Sequence, residues 1–304
     1  MTRPPDGIPP GLAEQRGLGD RWVAWIDGLG TLADDITDAW ELDYDGEPRH
    51  GFNGVVFPVR TVDHRPAALK LVLVDEESRG EIPALQRWAG TGAVELWRAD
   101  PRRGALLLER LGPSDLNELD DLDACDEVAQ LYGELHVAPT PKLPDLRSLV
   151  ARWLDGVGTL PRHAVPSRFA EQAVSAGARL LAVDPTSVVH GDLHYDNVLR
   201  GRRRDWLAID PKGFAGDPAY ELAPMLWNRW ADLGDDPGGR LRDRFFALVD
   251  GSGLEERRAR DWVVVRSMCA VWREYEAAAH RMLSPEQTDW VTRMVTTAKA
   301  MQDV

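Results

Sequence analysis

The sequence predicts an α+β protein of two lobes: a smaller one built on an antiparallel sheet and a larger one that is mostly α-helical. Three observations carry this. Between residues 40 and 109, apolar residues alternate with polar ones in short runs. Beyond residue 112, apolar positions recur at helical spacing instead. The chain has 304 residues, enough for two separate cores. Leu111-Gly112-Pro113 is the expected hinge, dividing lobes 1–111 and 112–304.

Residues 1–11, with Pro4, Pro5, Pro9 and Pro10, predict a loose arm. Leu18, Trp22, Trp25, Ile26 and Leu29 predict a helix over 12–39. From Trp40 the period becomes two, with a turn at Asp45-Gly46. Residues 55–59 and 67–74 read as strands separated by Asp63-His64-Arg65-Pro66. A helix is expected over 82–89. Residues 94–97 and 105–109 then form a hairpin around Asp100-Pro101-Arg102-Arg103-Gly104. That makes five short strands and one inserted helix. Helices follow over 122–137, 146–154 and 167–183. Strands and loops return over 186–213. Helices then resume near Ala219 and run to about 302, with breaks at 234–239 and 251–253.

Apolar residues make up 43% of the chain and charged residues 28%, as in soluble globular proteins. A net charge of −14 argues against a nucleic-acid partner, which requires a basic face. It suits a cationic small molecule, which an acidic cleft attracts, and equally serves solubility. Cys125 and Cys269 lie in separate helical segments, so no disulfide framework is implied. No apolar run reaches membrane-spanning length, and the Pro-rich start lacks a signal-peptide core. A cytoplasmic monomer or homodimer is expected.

The stretch 188–210 carries the chemistry. It reads Val188-Val189-His190-Gly191-Asp192-Leu193-His194-Tyr195-Asp196-Asn197-Val198-Leu199, and a second apolar run, 206–209, ends on Asp210. An Asp five residues before an Asn, with another Asp after a strand, is how kinases space a base and two magnesium ligands. Asp192 is therefore the candidate base, and Asn197 and Asp210 are the candidate metal ligands. Magnesium prefers oxygen donors and keeps several waters, so one amide and one carboxylate beside the ATP phosphates suffice. Two other readings stand beside this one. Asp192 also suits a turn cap, and His190, Asp192 and His194 also suit a metal-binding strand.

Lys70 lies inside the apolar run 67–72, where a lysine is costly unless paired. It is the candidate phosphate anchor, and snorkelling from an edge strand is the bland alternative. Glu81 is its expected partner, because Leu85 and Trp88 lie four and seven positions on and share its face. Glu77, on the same face, is the other choice. Pro83 is tolerated only in a first helical turn, which puts Glu81 at the helix start. Gly51 and Gly54 in His50-Gly51-Phe52-Asn53-Gly54 offer main-chain N–H groups to phosphates, though the segment reads equally as a hairpin turn. The main chain from Glu109 to Leu111 is the expected adenine contact. Asp217 before Pro218 reads as a helix cap. Lys212 either neutralises phosphate or pairs with an acidic neighbour, and His194 is expected to orient the loop.

His190-Gly191-Asp192-Leu193-His194-x-x-Asn197-Val198-Leu199 resembles the H-G-D-x-H-x-x-N motif of aminoglycoside phosphotransferases and their choline-kinase-like relatives. Ile209-Asp210-Pro211-Lys212-Gly213 and Gly216-Asp217-Pro218-Ala219-Tyr220-Glu221-Leu222 narrow it. They are similar to the aminoglycoside/hydroxyurea antibiotic resistance kinase family, which includes streptomycin 6-kinases. The resemblance runs from about residue 20 to 290. It departs from the pattern most in the glycine loop. It implies a protein-kinase-like bilobal fold, ATP and Mg2+ in the cleft, and phosphoryl transfer to a hydroxyl of an amino-sugar or aminocyclitol. Asp192 maps to the base, Asn197 and Asp210 to the metal ligands, and Lys70 and Glu81 to the phosphate lysine and its partner. Glu221, Trp227, Trp230, Glu274 and Glu276, on the C-terminal helices, are candidates for a cationic acceptor. Tryptophans at helical spacing also suit a core. A kinase for another hydroxylated metabolite, or a nucleotide-binding regulator without catalysis, are the competing functions.

Overall fold

The computed structural model describes residues 9–76, 78–279 and 281–302. Most of the expected N-terminal arm, and Glu77, lie outside the described residues. The helix expected over 12–39 is divided. A short α1 (Pro10–Ala13) leads into a 3-10 turn, Glu14–Leu18, and then into α2 (Asp20–Trp40). Gly19 separates them at φ +124°, a conformation that L side chains avoid.

Strands β1 (Asp43–Tyr44), β2 (Arg49–His50), β3 (Gly54–Arg60) and β4 (Pro66–Val72) precede α3 (Glu81–Trp88). Strands β5 (Leu96–Asp100) and β6 (Ala105–Glu109) follow it. Among the described residues these form one antiparallel sheet of order β1-β3-β4-β6-β5, with β2 also paired to β3. The sheet thus has six strands where five were expected. The extra one, β2, is a two-residue exposed strand that carries no apolar alternation.

Pleating decides what each face does, because successive side chains point to opposite sides. Ala67, Leu69 and Leu71 of β4, with Ala105 and Leu107 of β6, pack against Leu29, Ala33, Ile36 and Trp40 of α2. The alternate residues, including Leu106, Leu108 and Val72, join a second core with Ala84, Leu85 and Trp88 of α3. Lys70 belongs by register to this second face. Leu69 is fully buried on the α2 side. Leu69→Ala should cost about 2–5 kcal/mol, read as a lower urea midpoint at unchanged slope. Turnover well below the melting temperature should stay near normal, since the change lies on the opposite face from Lys70.

The helical part begins with α4 (Asp121–Leu135), α5 (Leu146–Val157) and α6 (Ser167–Leu180). Short strands β7 (Ser187–Val189), β8 (Val198–Arg200), β9 (Trp206–Ala208) and β10 (Phe214–Gly216) come next. They are followed by α7 (Ala223–Trp227), α8 (Pro237–Ser252), α9 (Glu256–Ala278) and α10 (Pro285–Ala300). Helix α9 packs on α5, α6 and α10 together. Its residues 262–265 are all buried, the pattern of a helix enclosed on several sides rather than one with a single apolar stripe. Among the described residues no helix is long and apolar enough to cross a membrane.

Candidate active site

Four short strands hold two loops side by side. β7 pairs with β10 and β8 with β9, both antiparallel. The loop 190–197 links β7 to β8, and the loop 209–213 links β9 to β10. Val189 faces Phe214, so each loop starts or ends beside the other. The two are then stitched together. The Lys212 N–H donates to the His190 carbonyl at 2.8 Å, and the Ile209 N–H to the Asn197 carbonyl at 2.9 Å.

His190 is fully buried, stacked near Trp88, and burial pushes its pKa down to about 3. It is therefore neutral, and its contacts select the tautomer. Nε2–H donates to the Ile209 carbonyl at 2.8 Å, while Nδ1 accepts from the Asp192 N–H at 3.3 Å. His190 thus fixes the loop main chain. Among the described residues no three His, Cys, Asp or Glu side chains converge as a metal cluster, which removes geometric support from the metal-strand reading.

Asp192 leaves its carboxylate free of short contacts; Lys212 Nζ stands 3.9 Å from its Oδ2. Asn197 is nearly buried. Its Nδ2 donates to the Asp192 carbonyl at 2.8 Å and faces His194 Nε2 at 3.2 Å. Both amide hydrogens are so occupied, which leaves Oδ1 as the group free to bind a cation. His194 accordingly orients the loop through Asn197.

Asp210, Lys70 and Glu81 form a line of charges. Lys70 Nζ lies 2.5 Å from Glu81 Oε1 and 2.6 Å from Asp210 Oδ1. Burial alone would depress the Lys70 pKa, but the two carboxylates outweigh it and the net shift is upward. The Lys70 charge, helped by Lys212, holds the Asp210 carboxyl well below the usual range against its burial. Burial raises the Glu81 pKa, with Lys70 opposing. Glu81 opens α3, as its position before Pro83 predicted. A glycine contact lets it arrive there. A Cβ on Gly80 would lie 1.7 Å from the Gly213 carbonyl oxygen, so the start of α3 rests backbone to backbone on the Asp210 loop.

Gly51 and Gly54 close a hairpin turn between β2 and β3, with the Gly51 N–H donating to Gly54 O at 3.0 Å. Phe52 stands exposed at the tip. The Glu109 carboxylate is taken by Arg203 Nε at 3.0 Å and the Glu95 N–H at 3.1 Å. Its side chain therefore braces the β8–β9 turn against the sheet. The main chain of Leu111 makes no backbone hydrogen bond among the described residues, leaving its N–H and C=O available.

The five acceptor candidates meet different surroundings. Glu221 is buried, and its carboxylate accepts the main-chain N–H groups of His190 and Gly191, the latter at 3.0 Å. It holds the Asp192 loop from beneath rather than facing a substrate. Trp227 is buried, packed edge-on against Trp290. Trp230 is half-buried with Arg293 over its ring. Glu274 accepts from Gln287 Nε2 at 3.0 Å, and Glu276 is exposed near the end of α9. The first two are corrections with one cause: on these elements the polar and aromatic side chains turn inward to satisfy the loop and fill the core.

Arg266 was not anticipated. It donates to the carbonyls of Tyr220 and Gly191, both at 2.8 Å, and lies over the Tyr220 ring. Its signal was a single arginine following the apolar run 262–265. Asp217 caps the turn that starts at Pro218 and also accepts from Arg258 and Trp262.

Burial pushes Glu221 up to about 7, against the hydrogen bonds from Gly191 and the charge of Arg266. Its native pKa exceeds its ordinary value of 4.5, so the folded state holds the proton longer. The resulting stabilisation is complete below about pH 4.5 and is lost as pH rises through about 7. Glu221→Gln should remove that slope from the stability–pH curve while costing about 1–3 kcal/mol for a poorly matched loop N–H. Parallel curves for the two proteins, from denaturation at a series of pH values, would refute this.

Residues 39–276 match the family described as aminoglycoside/hydroxyurea antibiotic resistance kinase. A streptomycin 6-kinase of Streptomyces glaucescens is 38% identical over 276 residues, covering 87% of this chain and 90% of the relative. A hydroxyurea phosphotransferase of Kitasatospora aureofaciens is 38% identical over 251 residues, covering 80% of this chain and 72% of the relative. An amicoumacin kinase solved with AMP-PNP and Ca2+ superposes with a TM-score of 0.57 at 12% identity, over 90% of this chain and 93% of that one. At that identity the likeness is one of fold: the protein-kinase-like pairing of an antiparallel sheet with a helical lobe.

Proposed function

Because the chain belongs to the aminoglycoside/hydroxyurea antibiotic resistance kinase family, we propose that this small-molecule kinase transfers the γ-phosphoryl group of ATP to a hydroxyl of an aminoglycoside or aminocyclitol, in the manner of a streptomycin 6-kinase. The observation that carries this reading is the charge line Glu81–Lys70–Asp210 set beside the loop of Asp192 and Asn197. Phosphoryl transfer asks the protein mainly for positioning and charge neutralisation, and these side chains supply both.

Asp192 takes the proton of the acceptor hydroxyl. The acceptor oxygen forms its bond to the γ-phosphorus as the bond to the bridging oxygen breaks, and ADP leaves. Lys212, 3.9 Å from Asp192, is placed to offset charge on the transferring group. Lys70 exchanges part of its contact with Asp210 for the nucleotide phosphates, with Glu81 keeping it in place. Asn197 Oδ1 and the second oxygen of Asp210 are hard donors that would hold Mg2+, whose charge would offset that of the phosphates. The main chain at Leu111 meets adenine, and the turn at Gly51 and Gly54 covers the phosphates.

A hydroxyurea phosphotransferase matches as well in identity as the streptomycin kinase does, so an acceptor N–OH group is the second reading. One experiment separates them. Streptomycin, other aminocyclitols, hydroxyurea and simple amino sugars are offered with ATP and Mg2+, and products are read by mass spectrometry for one added phosphate. A phosphorylated aminoglycoside supports the first reading, and phosphorylation of hydroxyurea alone supports the second. No magnesium-dependent ATP turnover with any acceptor would favour a non-catalytic nucleotide binder.

A further inference from the structure

A cavity of about 310 Å³ opens between α3, the segment after β4 and the β5–β6 turn. That volume lies within the range of small-molecule sites. Val72 and Leu106, both buried, line it along with the half-buried Ile82 and Pro83. Arg79 and Lys142 also line it, and both are exposed. Neither of these two side chains has an ion pair or hydrogen bond among the described residues. The chain carries 50 acidic against 36 basic residues, so two cations without a partner among the described residues, on one largely apolar cavity, run against the overall charge. The cavity's one described acid is Glu81, already neutralised by Lys70.

We propose that this cavity is a second ligand site, taking a small molecule with a compact apolar body and a single anionic group such as a carboxylate, and that its occupancy changes nucleotide binding through Glu81. The apolar body covers Val72, Leu106 and Ile82, and the anion meets Arg79 and Lys142. A cationic acceptor is repelled by the same pair. The coupling is mechanical. Glu81 is both a wall of the cavity and the anchor of Lys70. Gly80 rests on the Gly213 backbone, so the start of α3 cannot shift without the Asp210 loop.

The test uses the full chain with octanoate as probe, followed by methyl NMR at Ile82 and Val72. Saturable one-to-one binding is expected, with a Kd of about 1 mM or tighter. At equal concentration 1-octanol, the same body without charge, should bind about tenfold more weakly or worse. Arg79→Ala with Lys142→Ala should weaken octanoate similarly. AMP-PNP affinity should shift about fivefold or more when octanoate saturates. No saturation by about 10 mM octanoate, equal binding of 1-octanol, or a double variant that binds like the parent would overturn the site. Binding with unchanged AMP-PNP affinity would overturn the coupling. Since binding rather than transfer is measured, none of these failures bears on the kinase reading.

Discussion

Asp192→Ala is expected to lower turnover by about two to four powers of ten while leaving AMP-PNP binding close to that of the parent protein. The size follows from what a positioned base contributes. The selectivity follows from the local geometry. The loop around Asp192 is built by main-chain groups: its N–H meets His190 Nδ1 and its carbonyl accepts from Asn197 Nδ2. Alanine keeps both bonds. The side chain itself touches only Lys212, and at 3.9 Å, so its loss breaks no close contact. It is also 36% exposed, and no cavity in the core results. Thermal melting should therefore be nearly unchanged. The measurement is single-turnover transfer to whichever acceptor the screen identifies, alongside AMP-PNP titration. Near-normal transfer would remove Asp192 as the base. A lost melting transition would instead mean that the carboxylate serves the fold.

How far the sequence led depended on whether a property is local. Lys70 stood out because a lysine in an apolar strand needs a partner, and strand alternation placed it opposite Leu69 and Leu71. Glu81 followed from helical spacing to Leu85 and Trp88, and all three are buried on α3. The spacing of Asp192, Asn197 and Asp210 is likewise short-range, and strand pairing brings their loops together. Glu221 and Arg266 were beyond such reasoning. Both serve the Asp192 loop from beneath, across separations of 30 and 75 residues from Gly191. Only the packing of α9 against the turn at 218–222 defines that arrangement. Gly80 and Gly213 were missed for a related reason, since a backbone-to-backbone approach leaves no polar or apolar pattern. The inward turn of Glu221 and Trp227 was not legible either, because an aromatic or acidic residue on a helix gives no sign of which face meets solvent. The break at Gly19 shows the limit even for local signals: the apolar spacing on either side continues in phase, while one glycine at positive φ divides the helix.

Lys70→Met should cost stability as well as activity, and a paired variant separates the two. The Lys70 side chain is 8% exposed and that of Glu81 is 4%. Removing the ammonium leaves Glu81 buried without a counter-ion, for which a loss of about 3–5 kcal/mol is typical. Glu81 answers by taking up a proton, because burial already raises its pKa and Lys70 is what opposed that. Lys70→Met alone should therefore melt lower, and the deficit should grow as pH rises and deprotonation becomes unavoidable. Replacing both residues, as Lys70→Met with Glu81→Leu, removes the stranded charge and should recover most of the stability, since apolar pairs substitute well for buried ion pairs. Turnover should not recover. Asp210 then keeps only the more distant charge of Lys212, and on the proposed reading the nucleotide phosphates have lost their lysine. Two measurements decide this: chemical denaturation of the parent and the three variants, closed as a double-mutant cycle, and the transfer rate of each. A double variant as active as the parent would show that the pair serves only the fold. One that stays stable and inactive would assign Lys70 to the phosphates.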